Sequence, residues 1–443
     1  MFLSAADAKS VADRVLARSK AGGCVVSIEG GEEQSLRFAR ASATTNAANA
    51  ELSVRISSHV EGCVGSVAIS SVDDDAIDAA LRRSEEIARL LPADPDYVAP
   101  LGPQDYAASN RYDEETGRLG LDAMADFAAR AFAEGERRRV ETFGCAASGR
   151  RFEALATSAG LFAYDRRSDA ELSVTARNAA DSWSGWAGAS DFRAAGLDAA
   201  AIAWRACAKA AHDAPPAEIE PGRHTVVFEP AATAELARFL LNALDARAAD
   251  EGRSFFSRAG GGTRLGEALF DRKITLRSGP GEAAAPEGAI GYEGVPHRAR
   301  LWIDKGVLTT LYRSRAWAQR AGGEAIPHVR NFVLEGGDDS LDSMIRATKR
   351  GVLVTRLWYT NLVDRRGLLL TGLTRDGNFL IENGRVVAPA KNMRFNQSLG
   401  ALFARVAALG PIERTWRGTN GGGAAAPAML IEDFYFSSKS SGI

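Results

Sequence analysis

The sequence predicts an α+β protein. An N-terminal α/β domain of repeated helix-meander units is followed by a C-terminal strand-rich domain, with a large curved antiparallel sheet around a central helix. Three observations predict this. A helical pattern followed by short alternating strands occurs twice before residue 213. The segment Ala214-Pro215-Pro216-Ala217 then interrupts the pattern. Beyond it, β-branched and apolar runs of strand length dominate, together with one long apolar helical pattern. The expected units are residues 1–213, a linker at 214–220, and residues 221–443.

Ala5 to Ser19 reads as a helix. Cys24 to Glu29 alternates as a strand and meets Gly30-Gly31, read as a turn. Ser35 to Arg40, Glu51 to Ser57 and Cys63 to Ser70 continue the meander. Asp73 to Asp75 supply cap chemistry for a helix over Ala76 to Leu91. Pro92 to Pro103 is a loop. Leu119 to Glu136 reads as the next helix, followed by strands at Arg138 to Ala147, Arg151 to Ser158 and Gly160 to Arg167. Ala170 to Trp186 has strand character, and Asp198 to His212 is an alanine-rich helix.

The C-terminal part opens on Pro221-Gly222 and a buried-strand pattern, Thr225 to Phe228. Pro230 ends that run. From Ala231 the apolar residues Leu236, Phe239, Leu240, Ala243 and Leu244 recur at helical spacing, and Gly252 closes the helix. Strands are predicted at Ile274 to Arg277, Arg298 to Ile303, Val307 to Tyr312, Val329 to Leu334, Gly351 to Trp358, Gly367 to Leu373, Asn378 to Glu382 and Met429 to Phe434. Asp304-Lys305-Gly306 and Glu382-Asn383-Gly384-Arg385 read as hairpin turns. Leu341 to Lys349 is a short capped helix, and Asn396 to Ala408 reads as a last amphipathic helix. Gly418 to Ala426 reads as a Gly/Ala loop.

Composition narrows function by exclusion. The chain is 46% hydrophobic and 25% charged with a formal net charge of −2, so no electrostatic case exists for nucleic acid or an anionic membrane. Met1 to Lys20 is an amphipathic, charged stretch without the apolar core of a signal peptide. No apolar run reaches bilayer length, and the expected location is cytoplasmic. Cys24, Cys63, Cys145 and Cys207 form no CxxC pair and read as reduced thiols.

Catalytic patterns are sparse. The glycines at 260–262 lack a following Lys-Ser/Thr and follow a helix rather than opening one, so they do not form a phosphate loop. No G-x-S-x-G elbow occurs. The carboxylate pairs Asp338-Asp339 and Glu432-Asp433 read as a helix cap and a strand end. The scattered tryptophans read as core or interface residues. Among the five histidines, no two share an element at metal-ligand spacing; His224, His297 and His328, beside predicted strands, are the ones a dispersed metal site would use.

Three ordered segments carry a resemblance. They are Pro221 to Ser257, then Glu293-Gly294-Val295-Pro296 with Ile303-Asp304-Lys305-Gly306-Val307-Leu308, then Phe379-Leu380-Ile381-Glu382-Asn383-Gly384 followed by Pro389. The second resembles the "DDEG.P…ENGVL" segment of the TldD/PmbA family, called modulators of DNA gyrase, and the third its "GFLIENGE…P" segment. In TldD-type members the helix after the first strand carries HExxxH, whose His pair binds zinc while the Glu activates water. Here Ala231 to Asp250 contains no His, Glu235 has none beside it, and no Cys lies after Lys391. The chain therefore resembles the PmbA (TldE-like) branch.

The resemblance implies a peptide-processing chamber built by two subunits. This chain is expected to be the subunit without zinc: it holds the peptide, and a TldD-type zinc peptidase partner supplies metal and base. No catalytic residue and no cofactor are expected in this chain itself. Arg330 and Asn331, in a shortened version of the family's "R.TN" segment, and Ser254, in the shared segment after the helix, are the expected peptide contacts. Two alternatives are a homodimeric hydrolase with an unorthodox site and a non-catalytic peptide-binding module.

Overall fold

The computed structural model describes residues 1–178, 183–416 and 422–440. Its N-terminal half contains two copies of one unit. The first runs α1 (Ala5–Arg18), β1 (Gly23–Ala39), β2 (Ser42–Val60), β3 (Cys63–Ile69) and α2 (Asp74–Leu90). After a short helix α3 (Glu114–Gly117), the second runs α4 (Leu121–Arg138), β4 (Glu141–Thr157), β5 (Phe162–Arg177), β6 (Ser184–Asp191) and α5 (Ala199–Ala210). The two meanders join through their first strands into a six-stranded sheet of order β3-β2-β1-β4-β5-β6. Each half of the sheet has its own apolar core against its own helices, one centred on Val26, Ile56 and Ile77, the other on Leu172, Met124 and Ile202.

Packing repeats across the duplication. In each copy the third strand carries a glycine under the helix that follows. A Cβ at Gly65 would lie 2.0 Å from the Ser84 carbonyl oxygen in α2, and one at Gly185 would lie 2.3 Å from the Ala206 carbonyl oxygen in α5. Only glycine allows these helices to lie so close to the sheet.

The strands are longer than the sequence predicts. Gly30-Gly31 is not a turn: β1 continues through it, with Gly30 opposite Leu52 and Phe152. A Cβ at Gly30 would lie 2.6 Å from the Met1 carbonyl oxygen, so close approach of neighbouring chain, not a reversal, requires glycine there. Similarly Ser148-Gly149 does not interrupt β4. The reversal after β1 falls at Arg40 and Ala41, with φ of 52° and 58°.

The C-terminal half contains β7 (Gly222–Phe228), α6 (Pro230–Asn242), α7 (Ala246–Asp250), β8 (Leu276–Ser278), β9 (Arg300–Asp304), β10 (Val307–Leu308), α8 (Arg315–Ala321), β11 (Phe332–Leu334), α9 (Leu341–Ala347), β12 (Arg350–Asp364), β13 (Leu369–Glu382), β14 (Arg385–Pro389), β15 (Met393–Ser398), α10 (Leu399–Phe403), β16 (Val406–Arg414) and β17 (Ala424–Lys439). They build an 11-stranded sheet in which β17-β15-β13-β12-β7 closes on itself, because β7 also pairs with β17. The sheet is mixed rather than wholly antiparallel. β7 runs parallel to β12 and β11 parallel to β17, since long connections that include helices separate both pairs in sequence.

The central helix differs in extent from the sequence reading. It ends at Asn242, and Asp245 caps a separate α7 by accepting from the Ala248 N–H. Asn396 to Ala408 is helical only at Leu399–Phe403, between the end of β15 and the start of β16, because Asn396 and Gln397 pair with Thr371 and Leu370. The predicted loop at 418–426 lies outside the described residues up to 421, and from Ala424 it is strand. The hairpin turns are as expected, with positive φ at Lys305, Gly306, Asn383 and Gly384.

Helix α6 buries Leu236, Leu240 and Leu241 among Val226, Phe228, Val354, Phe395 and Phe434. Val227, Leu353 and Ile381, facing the other way, pack against Met344 of α9. The period of two along β7 and β12 thus covers both faces of the ring.

Candidate functional site: the open stripe of the central helix

One stripe of α6 is not sealed by the core. Ala231, Glu235, Arg238 and Asn242 are spaced by four, three and four residues, which places them on one face. Through Arg238 that face reaches the loops carrying Asn331 and Gly423, which together with Arg111 and Asp191 line a cavity between the N-terminal and C-terminal halves. Pro230 at the first helical position and Glu229 as cap fix the start of the helix beside β12, where the Glu229 N–H donates to the Val354 carbonyl at 3.0 Å.

Burial pushes the Glu235 carboxyl above the ordinary carboxylate range, while the Arg238 guanidinium and the Thr360 hydroxyl pull it back. Arg238 does not end on a carboxylate. Its Nη1 donates to the Arg330 carbonyl and its Nη2 to the Gly422 carbonyl, both at 2.8 Å, and its guanidinium lies 5.0 Å from the Phe332 ring centre. One side chain thus ties the helix to two separate loops. At the end of the stripe, Asn242 Oδ1 lies 3.1 Å from His328 Nε2, and the His328 ring meets Tyr312 edge to face.

Glu287 organises the opposite wall. Its buried carboxylate accepts the backbone N–H of Arg330 at 2.6 Å, that of Asn331 at 2.7 Å, and that of Gly288 at 2.8 Å. Three N–H donors on one carboxylate hold both chain segments in register. Asp165, from the N-terminal sheet, accepts the Ala289 N–H at 2.8 Å and seats the same loop from the other side.

The structure separates the sequence-predicted residues. Arg330 is exposed at the rim of the cleft, close to Arg238. Asn331 lies beside it, but its amide is occupied: it donates to the Pro286 carbonyl and accepts the Gly423 N–H at 2.7 Å. Ser254 is buried in the turn after α7, where its hydroxyl accepts the Phe256 N–H. His297 and His328 are neighbours, with His297 Nε2 3.1 Å from the His328 carbonyl. His224 is on β7, against the Glu220 carbonyl and the Phe436 ring.

Glu235, Arg238, Asn242 and Glu287 form the site without having been singled out as functional in the sequence. The first three had a readable signal, namely polar residues at helical spacing on an otherwise apolar helix. Glu287 had none, since it sits in a Gly/Ala/Pro-rich coil without periodicity.

These donors do not fit a zinc ion. Zinc takes imidazole, thiolate and carboxylate. This face instead offers one carboxylate, an amide and a guanidinium that would repel a dication, and Ala234 and Leu236 flank Glu235. Among the described residues no three His, Cys, Asp or Glu side chains converge.

The described part of β12 also leaves a free edge. β7 pairs with it only from Gly351 to Val354, whereas β13 accompanies it to Asp364. From Arg356 onward one edge of β12 carries no strand among the described residues. A bulge at Tyr359 and Thr360 bends this stretch, with φ of 49° at Tyr359.

A helix with one open polar stripe, held by a curved mixed sheet and facing a duplicated helix-meander unit, defines a two-part α+β architecture with an interdomain cleft. Residues 221–438 match the family model described as the PmbA/TldA metallopeptidase C-terminal domain, and the chain belongs to the TldD/PmbA family. The same fold occurs in TldE from Thermococcus kodakarensis, with a TM-score of 0.83 and 16% identity over 98% of this chain and 100% of that one. It also occurs in a protein titled a putative modulator of a DNA gyrase from Thermotoga maritima, with a TM-score of 0.82 and 17% identity over 96% and 99% of the two chains. A third, titled a putative modulator of DNA gyrase from Bacteroides thetaiotaomicron, has a TM-score of 0.80 and 21% identity over 97% and 98%. No curated protein sequence matches the chain. No described helix is long and apolar enough to cross a membrane.

Proposed function

We propose that this chain is the peptide-holding, non-zinc subunit of a TldD/PmbA-type peptide-processing assembly, with metal and general base supplied by a TldD-type partner. The observation that carries this reading is the free edge of β12 beside the open stripe of α6. An extended peptide adding to that edge gains backbone hydrogen bonds that read no side chain, which suits unfolded or modified peptides. Arg330 at the rim adds a planar, permanently charged donor for a peptide carbonyl or carboxylate. Asn331, whose amide is occupied, serves by holding the rim in shape, and Ser254 serves in the turn after α7.

Glu235 does not act as a metal-assisted base in this reading, because no ligand set stands beside it. Its carboxylate and Arg238 give the cleft floor a fixed dipole against which a peptide backbone orients.

The test is metal content and cleavage of an unfolded protein such as casein, by the chain alone, by a TldD-type chain alone, and by the mixture. Zinc and cleavage that require the TldD-type chain, with co-elution of the two, support the reading. About one zinc per subunit in this chain alone overturns it. A stable homodimer that binds peptide and ignores the TldD-type chain would favour a non-catalytic binding module instead.

A further inference from the structure

Two arginines face each other across the β12–β13 ladder, next to Ser184 and Trp186 of the N-terminal half. Arg356 on β12 is directly opposite Arg375 on β13. Like charges at opposed positions of an antiparallel pair repel. Among the described residues, the carboxylate that answers them is Asp376, which a left-handed backbone turn (φ 50°) places beside both. Asp376 Oδ2 accepts from Arg356 Nη2 at 2.5 Å, and Oδ1 accepts from the Ser184 hydroxyl at 2.7 Å. Arg375 receives only a 3.5 Å ion-pair contact from it and makes no hydrogen bond among the described residues.

The surroundings share this deficit of negative charge. The Arg356 guanidinium lies 4.9 Å from the Trp186 ring centre and 5.4 Å from that of Trp358, and the Arg375 guanidinium lies 4.8 Å from Trp358. Arg356 Nε and Trp358 Nε1 are buried N–H donors without an acceptor among the described residues. Two cations, one anion and two unanswered donors are thus gathered between indole faces that exclude water. Arg356, Trp358 and Thr360 are each half-buried along β12, and Thr360, beyond the bulge at Tyr359, lies beside Glu235 of α6.

We propose that a peptide in this cleft is anchored here by a carboxylate, taken between Arg375 and the Trp358 indole N–H with Arg356 behind them. The inference rests on the reading of β12 as the peptide edge and adds the chemical class of peptide preferred. The planar guanidinium and the indole N–H match the two oxygens of one carboxylate. An acidic side chain and a free C-terminus both offer that group.

The test uses the full chain and three fluorescein-labelled octapeptides of Ser, Thr and Val. One has an amidated C-terminus and no acid, one has a single central Asp and an amidated C-terminus, and one has a free C-terminus. Fluorescence anisotropy should show at least one carboxylate probe binding about tenfold tighter than the neutral probe, the gain of one charge-assisted contact. Which of the two does so identifies the source of the carboxylate. Arg375→Gln should abolish the preference, leave the neutral probe's affinity unchanged, and leave the melting temperature equal or higher because the cross-strand repulsion is gone. Equal affinity of wild type for all three probes, an equal loss for all three in Arg375→Gln, or a lowered melting temperature overturns the carboxylate anchor while peptide binding stands. Failure of every probe to bind overturns both the anchor and the peptide edge.

Discussion

The ammonium of Lys209 lies 2.7 Å from the carboxylate of Glu229, joining the last helix of the N-terminal sheet to the residue that caps α6. Both side chains are 14% exposed. Burial pulls the Lys209 pKa down, and the Glu229 charge opposes that pull. Glu229 also accepts from the Thr355 hydroxyl at 3.1 Å, and Lys209 donates to the Trp186 carbonyl at 3.1 Å. The pair therefore sets the two walls of the cleft against each other.

Removing one partner strands the other. Lys209→Met should lower stability by about 3–5 kcal/mol in urea unfolding, because Glu229 is left buried and unpaired. The double variant Lys209→Met/Glu229→Gln should recover much of that loss. A single variant costing under about 1 kcal/mol would show that water enters this seam and screens the pair.

The glycines under α2 and α5 give a paired prediction. Gly65→Ala and Gly185→Ala each put a methyl group against helix backbone, at 2.0 and 2.3 Å from a carbonyl oxygen. Each should cost at least about 1–3 kcal/mol by thermal melting, since backbone cannot step aside as a side chain can. Gly62→Ala provides a contrast: nothing lies within 4 Å of its Cβ position, but its φ of +81° strains any other residue, so its cost should be smaller, about 1 kcal/mol.

Burial lowers the pKa of His328 below its ordinary 6.5, with Glu287 opposing the shift. The unfolded chain then binds the proton more readily than the folded chain. The stability due to neutral His328 is present above about pH 6.5 and is lost as the pH falls through the lowered folded value. Melting temperature against pH should fall on the acid side of this window, and His328→Asn should flatten that fall. An unchanged pH profile in the variant would assign the acid sensitivity to other groups.

Glu287 should be irreplaceable by its amide. Gln at this position can accept with one oxygen only, and its NH2 would face backbone donors now answered by Glu287 Oε1 or Oε2. Glu287→Gln should cost about 1–3 kcal/mol and loosen the rim carrying Arg330 and Asn331. Hydrogen exchange at the Arg330 and Asn331 amides would report this directly; unchanged protection there would contradict it.

The duplicated N-terminal pattern, the strand-then-helix opening of the C-terminal half, and the Lys305-Gly306 and Asn383-Gly384 turns were legible because each depends on local spacing or local backbone preference. Strand lengths were not. Gly30-Gly31 read as a turn and residues 148–150 as a gap between two strands, and only the neighbouring strands show that glycine there makes room for close approach. The break between α6 and α7 was hidden because the apolar spacing continues across it, while the Asp245 cap is a three-dimensional contact.

The sequence by itself determined the fold class, the family segments and a central helix bearing Glu235, Arg238 and Asn242 without histidine. These are properties of residue type and spacing along one chain. Tertiary structure alone decided that Arg238 ends on two carbonyls, that Glu287 holds Arg330 and Asn331, and that Arg356 faces Arg375 across a ladder. Each of these joins segments separated in sequence, and register, which no local pattern encodes, fixes which side chains meet.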